Sequence, residues 1–204
     1  MHPLNTVKGA ITTGVVLAII ISIWITASAG LGISIHWGRM DRWLHIVAGV
    51  TWIGLLYYFN VVQTPGLAEA AADKGGPGGA GVSKYIAPRA LLWFRWAAVA
   101  TWVSGAFYLL TGYGVGSTTA IVGAFTLQEG YRTLGAGAWL GTIMLFNVWV
   151  FIWPNQKKIL GLVPATDDEK AAARKVAGRA SRINFILSLP MLMCMGGQSH
   201  GLPF

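Results

Sequence analysis

Three of the chain's four histidines, His36, His45 and His200, fall at the ends of apolar stretches, and the fourth, His2, stands at the N-terminal tip. Imidazole titrates near neutral pH and is a standard axial ligand of haem iron, so such a set can hold a metal or a haem. The residues beside two of these rings are small. Ala48 and Gly49 follow His45 at i+3 and i+4 and clear one helical turn next to it, while Gly196 and Gly197 precede His200 by four and three residues. Trp37, Trp43 and Trp52 are placed to wall a pocket for a flat macrocycle. Three readings of this constellation stand side by side. The first is a b-type haem with His45 and His200 as iron ligands and His36 nearby. The second is close helix packing on small residues, with the histidines hydrogen-bonded at the membrane surface. The third is a copper or other metal site that adds Met40, Met191, Met193, Cys194 and Met195. Consecutive helical residues point about 100° apart, so Met193, Cys194 and Met195 cannot all face one ion, and core filling by flexible Met is the simpler account of them.

Arg95 and Asn147 are the candidate substrate contacts. Arg95 lies inside Trp93-Phe94-Arg95-Trp96, where a charge is costly unless it reaches the interface, stacks on an indole or binds an anion. Asn147, with Asn60, Gln63 and Asn184, is an amide within or beside an apolar stretch, suited to tie helices together or to read a polar ligand such as a purine.

The elements that hold these residues must be membrane helices. Only 11% of the 204 residues are charged and 54% are apolar, whereas a soluble domain carries about 25% charged residues to cover itself in water. The single cysteine excludes an internal disulfide, a CxxC pair, a CxxCH haem attachment and a four-Cys cluster. Apolar stretches matched to the bilayer's hydrocarbon core of about 30 Å run over residues 10–35, 42–63, 91–111, 135–153 and 183–199. The expected fold is therefore all-α, one transmembrane domain over 1–204 with five crossing helices, and residues 118–126 form a shorter re-entrant or interfacial turn. On this reading His36 ends the first helix and His45 lies in the first turn of the second, about 4 to 6 Å below the surface. His200 stands about 27 Å above Arg182, at a similar depth.

The net charge of +8 then sorts by side. Arg39, Arg42 and Arg132 fall on one face and the other twelve basic residues on the opposite one, which makes the N-terminus cytoplasmic and the C-terminus periplasmic. The basic excess is a topology signal with anionic lipid as its partner, and nucleic acid is not expected. Ala27-Ser28-Ala29 resembles a signal-peptide cleavage site, but the apolar run before it is longer than the usual signal core, so a retained helix is expected. Thr166-Asp167-Asp168-Glu169 is a capping-box sequence that starts the last helix, and Pro190 should kink that helix.

Several of these segments carry a family resemblance: Arg42-Trp43-Leu44-His45 through Gly49 to Trp52-Ile53-Gly54, Trp93-Phe94-Arg95-Trp96 with Thr101-Trp102 and Ser104-Gly105, Asn147-Val148-Trp149, Trp153-Pro154-Asn155-Gln156-Lys157-Lys158, and Ser188-Leu189-Pro190-Met191 leading to His200. In this order they resemble the membrane domain of the bacterial urate oxidase (urate hydroxylase) family, typically fused to a cytochrome c. The resemblance implies an inner-membrane oxidoreductase that passes electrons from urate to a c-type cytochrome and yields 5-hydroxyisourate. It carries His45 and His200 over as haem-ligand candidates and Arg95 as a basic position. The chain to Phe204 holds no CxxCH, so the expected acceptor is a separate periplasmic cytochrome c. The alternative is an accessory or structural subunit of a homo-oligomer or larger membrane complex, without catalysis of its own.

Overall fold

The computed structural model describes residues 5–111 and 118–203, and among these it is all-helical, without a strand. The chain divides into two compact units, 1–36 and 37–204. The first holds helix α1, Val7–Ser28, started by the Thr6 hydroxyl, which accepts a hydrogen bond from the Gly9 amide at 3.0 Å. No residue of α1 is buried, and it is apolar on every side, the composition of a helix whose solvent is lipid. The stretch expected to stay helical up to His36 ends earlier, at Ser28. The Gly30 and Gly32 region has poor helix propensity, and Gly30 takes a positive φ of 69°.

The second unit is a bundle of α2 (Trp37–Ala72), α3 (Ala87–Thr111), α4 (Thr118–Phe125), α5 (Arg132–Ile159) and α6 (Asp167–His200). Helices α1, α2 and α5 are each long and apolar enough to cross a membrane. The surface of the bundle is apolar, with residues such as Val50, Trp96, Val103 and Ile186 more than half exposed, while Asn184 and Ser188 are fully buried. That polarity is inverted relative to a water-soluble bundle.

Three helical turns widen to π geometry: Tyr58–Gln63 in α2, Val82–Ile86 leading into α3, and Asn147–Ile152 in α5. Each is followed two residues later by a proline, Pro65, Pro88 and Pro154. A proline ring lacks the N–H and collides with the carbonyl four residues back, and a widened turn relieves that conflict without breaking the helix. Residues 167–200 stay α-helical through Pro190, so the irregular turns sit at the other three prolines.

Helix α6 is held by a stripe rather than by bulk. Ala173, Ala177, Ala180, Asn184, Ser188, Met191 and Cys194 recur at three- and four-residue spacing and are all buried. Ser181 accepts from the Asn60 amide at 2.9 Å, Asn184 pairs with Asn147, and Ser188 donates to the Tyr57 hydroxyl at 3.2 Å. The capping box at its start forms in full: the Glu169 amide donates to Thr166 Oγ1 at 3.2 Å and the Thr166 amide donates to Glu169 Oε2 at 2.8 Å.

Candidate functional site

Helices α2 and α3 meet along small residues. A side chain at Gly49 would make ordinary contact with Thr101 Cγ2 at 3.7 Å, so the room cleared there is taken by helix packing. One turn earlier the imidazole of His45 lies on the backbone of α3. Its Nδ1 is 2.8 Å from the Thr101 carbonyl oxygen, and a Cβ at Gly105 would stand 2.9 Å from its Cε1. The ring thus fills the volume that a side chain at 105 would need. A carbonyl oxygen only accepts, so Nδ1 carries the proton, and Nε2 of the neutral ring is left with its lone pair. No hydrogen bond to Nε2 is formed among the described residues. A histidine with one nitrogen tied to the backbone and the other open is able to ligate a metal.

Two further open polar atoms lie on the same face of α2. Asp41, four residues before His45, is 8% exposed with Oδ2 unpartnered, and Trp52, seven after it, is 1% exposed with Nε1 unpartnered. Asp41 was not among the expected site residues. The spacing Asp41 to His45 on one helical face is the signal that could have found it. Gly105 was part of a matching segment, but its role needs the α2–α3 register, which no local pattern gives.

The other expected residues are placed as follows. His45 is the ninth residue of α2, about 12 Å along the helix from Trp37, rather than in its first turn. His200 is exposed at the end of α6, and the space beside Gly197 is occupied by Leu202, whose Cδ2 would be 2.6 Å from an added Cβ. His36 closes the first unit with Nε2 3.0 Å from Ser34 Oγ. Trp37 and Trp43 are exposed and only Trp52 is in the core. Cys194 is buried against Gly137 while Met193 is exposed, and no group of three or more His, Cys, Asp or Glu side chains is poised for a metal among the described residues. Asn147 donates to Asn184 Oδ1 at 2.9 Å, and Asn184 donates to the Met144 carbonyl at 2.9 Å, so this pair ties α5 to α6. The Arg95 guanidinium lies 3.8 Å above the centre of the Trp153 ring. A cleft of about 510 Å³ opens between α2 and α3, lined by Val50, Gly54, Leu55, Arg89 and Trp93 among others. Gly54 faces away from His45 on α2, so this cleft is separate from the histidine.

The sequence profile of a family described as Urate oxidase N-terminal matches residues 33–128 and 120–204. The chain belongs to that family. The match covers the whole of the second unit, including His45, Arg95, Gly105, Asn147 and His200, and starts after α1. Nothing among curated proteins and nothing among solved structures matches the chain.

Proposed function

We propose that this chain is the membrane module of a urate-oxidising redox system of the bacterial inner membrane, with a b-type haem held by His45. The observation that carries this is the geometry of that ring, Nδ1 fixed by the Thr101 carbonyl and Nε2 open above the bare backbone of Gly105. His200, exposed at the end of α6, is the second residue of this unit that would hold the haem. A bound haem would supply one-electron transfer between donor and acceptor. The chain's own residues fix the ligand tautomer, keep the ring from rotating and offer Asp41 Oδ2 as a hydrogen-bond acceptor on the same helical face.

The balanced reaction takes up the oxygen of one water into urate, giving 5-hydroxyisourate, two protons and two electrons. The electrons go to a c-type cytochrome. In this reading five helices cross the bilayer, α1, α2, α3, α5 and α6, with the N-terminus cytoplasmic and the C-terminus periplasmic. The support is the charge asymmetry, with only Arg39, Arg42 and Arg132 on the outer side.

A second reading is an accessory subunit without haem in a larger complex. It draws on the filled spaces at Gly49 and Gly197, where Thr101 and Leu202 occupy the clearance a macrocycle would use. Absorbance separates the two. Purified, haem-supplied protein should show a Soret band that shifts on dithionite reduction, and His45→Ala should abolish it. A folded, haem-supplied wild type without the band favours the accessory subunit. Urate-dependent reduction of added cytochrome c by the haem-loaded chain then tests the enzyme itself.

A further inference from the structure

Trp153 of α5 receives two cations and no acid. The Arg95 guanidinium sits 3.8 Å from the ring centre and Lys157 Nζ 6.0 Å from the same centre. The ion pairs formed among the described residues are Lys158 with Glu169 and Lys170 with Asp167, so neither Arg95 nor Lys157 is neutralised by a carboxylate. Stacking on an indole stabilises each cation, but two like charges converging on one ring repel one another. An anion close to both would offset that repulsion.

The surroundings define that anion further. Trp149, four residues before Trp153, packs edge-on against Trp96 with ring centres 5.5 Å apart, and its buried Nε1 has no partner. An arginine fork and an ammonium are donors suited to phosphate oxygens. Around them the surface is apolar and open: Leu92, Trp96, Val150 and Phe151 are 41 to 55% exposed. A soluble anion would leave these side chains uncovered, whereas a phospholipid places its phosphate on the cations and its acyl chains on the apolar surface.

We propose that Arg95, Lys157 and Trp153 form a headgroup site for an anionic phospholipid on the face of the bundle between α3 and α5. The site does not depend on haem or on urate chemistry. Two cations are already drawn to one ring there, which distinguishes it from the general attraction of a basic surface to acidic lipid.

The test is native mass spectrometry of the full chain in detergent, titrated with phosphatidylglycerol, phosphatidylcholine or inorganic phosphate. Phosphatidylglycerol should be retained in preference to phosphatidylcholine. Arg95→Gln and Lys157→Gln should each lower its retention about five-fold, and Arg39→Gln should leave it unchanged. Lys157 lies in the last turn of α5, outside the buried core, so Lys157→Gln keeps the test decisive if Arg95→Gln does not fold. Equal retention of the two lipids, or undiminished phosphatidylglycerol binding by Lys157→Gln, overturns the proposal. Displacement of the lipid by millimolar phosphate assigns the site to a soluble anion and overturns it as well.

Discussion

Helices α2 and α6 both carry a polar stripe into the bundle, and they use it differently. On α6 the stripe is Ser181, Asn184 and Ser188, and each of these side chains is hydrogen-bonded to α2, to α5 or to its own backbone. On α2 the stripe is Asp41, His45 and Trp52, and each retains an atom with no hydrogen bond among the described residues, Oδ2, Nε2 and Nε1. A low-dielectric interior makes an unpaired polar group costly, so a stripe with every group paired serves to hold helices together. One that keeps open atoms on a single face calls for a ligand or water. Composition does not separate the two helices in this respect, but bonding does.

The largest test of that contrast is at Gly105. Gly105→Val puts a branched side chain where the His45 ring lies, with the Cβ alone 2.9 Å from Cε1. Overpacking should cost about 1–3 kcal/mol and push the imidazole off the Thr101 carbonyl. Gly141→Ala, where an added Cβ meets nothing within 4 Å, should be close to neutral. Thermal unfolding of the detergent-solubilised chain reads both, and an unperturbed Gly105→Val protein would show that His45 is not held as described. In the haem reading the same variant loses its Soret band while folded protein persists.

The next effect is on α6. Asn184→Ala strips the partner from the Asn147 amide and from the Met144 carbonyl, all at a buried position. The expected loss is about 1–2 kcal/mol. Asp41→Asn on α2 should instead leave stability within about 0.5 kcal/mol, because the affected oxygen has no partner to lose. If Asp41→Asn destabilises the chain as much as Asn184→Ala does, the distinction between a bonding stripe and a site stripe fails.

How much of this was legible depended on range. The Thr166 capping box is a contact over three residues, and both of its hydrogen bonds are found where the pattern put them. His45 was visible as a candidate because Ala48 and Gly49 sit beside it, yet the residue that accommodates its ring is Gly105, sixty positions away on another helix. Gly49 and Gly197, read as room for a cofactor, are bordered by Thr101 in van der Waals contact and filled by Leu202 respectively, since a small residue creates space only if its neighbours leave it open. The prolines teach the same lesson. Pro190 was the expected irregularity, while Pro65, Pro88 and Pro154 are the ones preceded by widened turns. Two of those turns contain Asn60 and Asn147, the amides that tie α2 and α5 to α6.

The smallest effect is at the N-terminal start of α6, and it is set by pH. The backbone amide of Thr166, followed by the nearby Lys158 charge, holds the Glu169 carboxyl below its ordinary value of 4.5. A carboxyl depressed in the folded state adds stability above its unfolded-state pKa and loses it as the pH falls through the folded value. The cap should therefore be at full strength at pH 6 and weaken on acidification below about pH 4.5. Glu169→Gln keeps a capping-box acceptor without a titrating group, so it should flatten this part of the acid profile and be slightly less stable at neutral pH, where the Lys158 pair at 3.9 Å is also gone. Helix content followed by circular dichroism between pH 3 and 7 reads the difference. The start of α6 lies far from Asp41 and His45 in the chain, so the same titration should leave the α2 stripe untouched. An Asp41→Asn background that changes the Glu169 step would show that the two stripes are coupled after all.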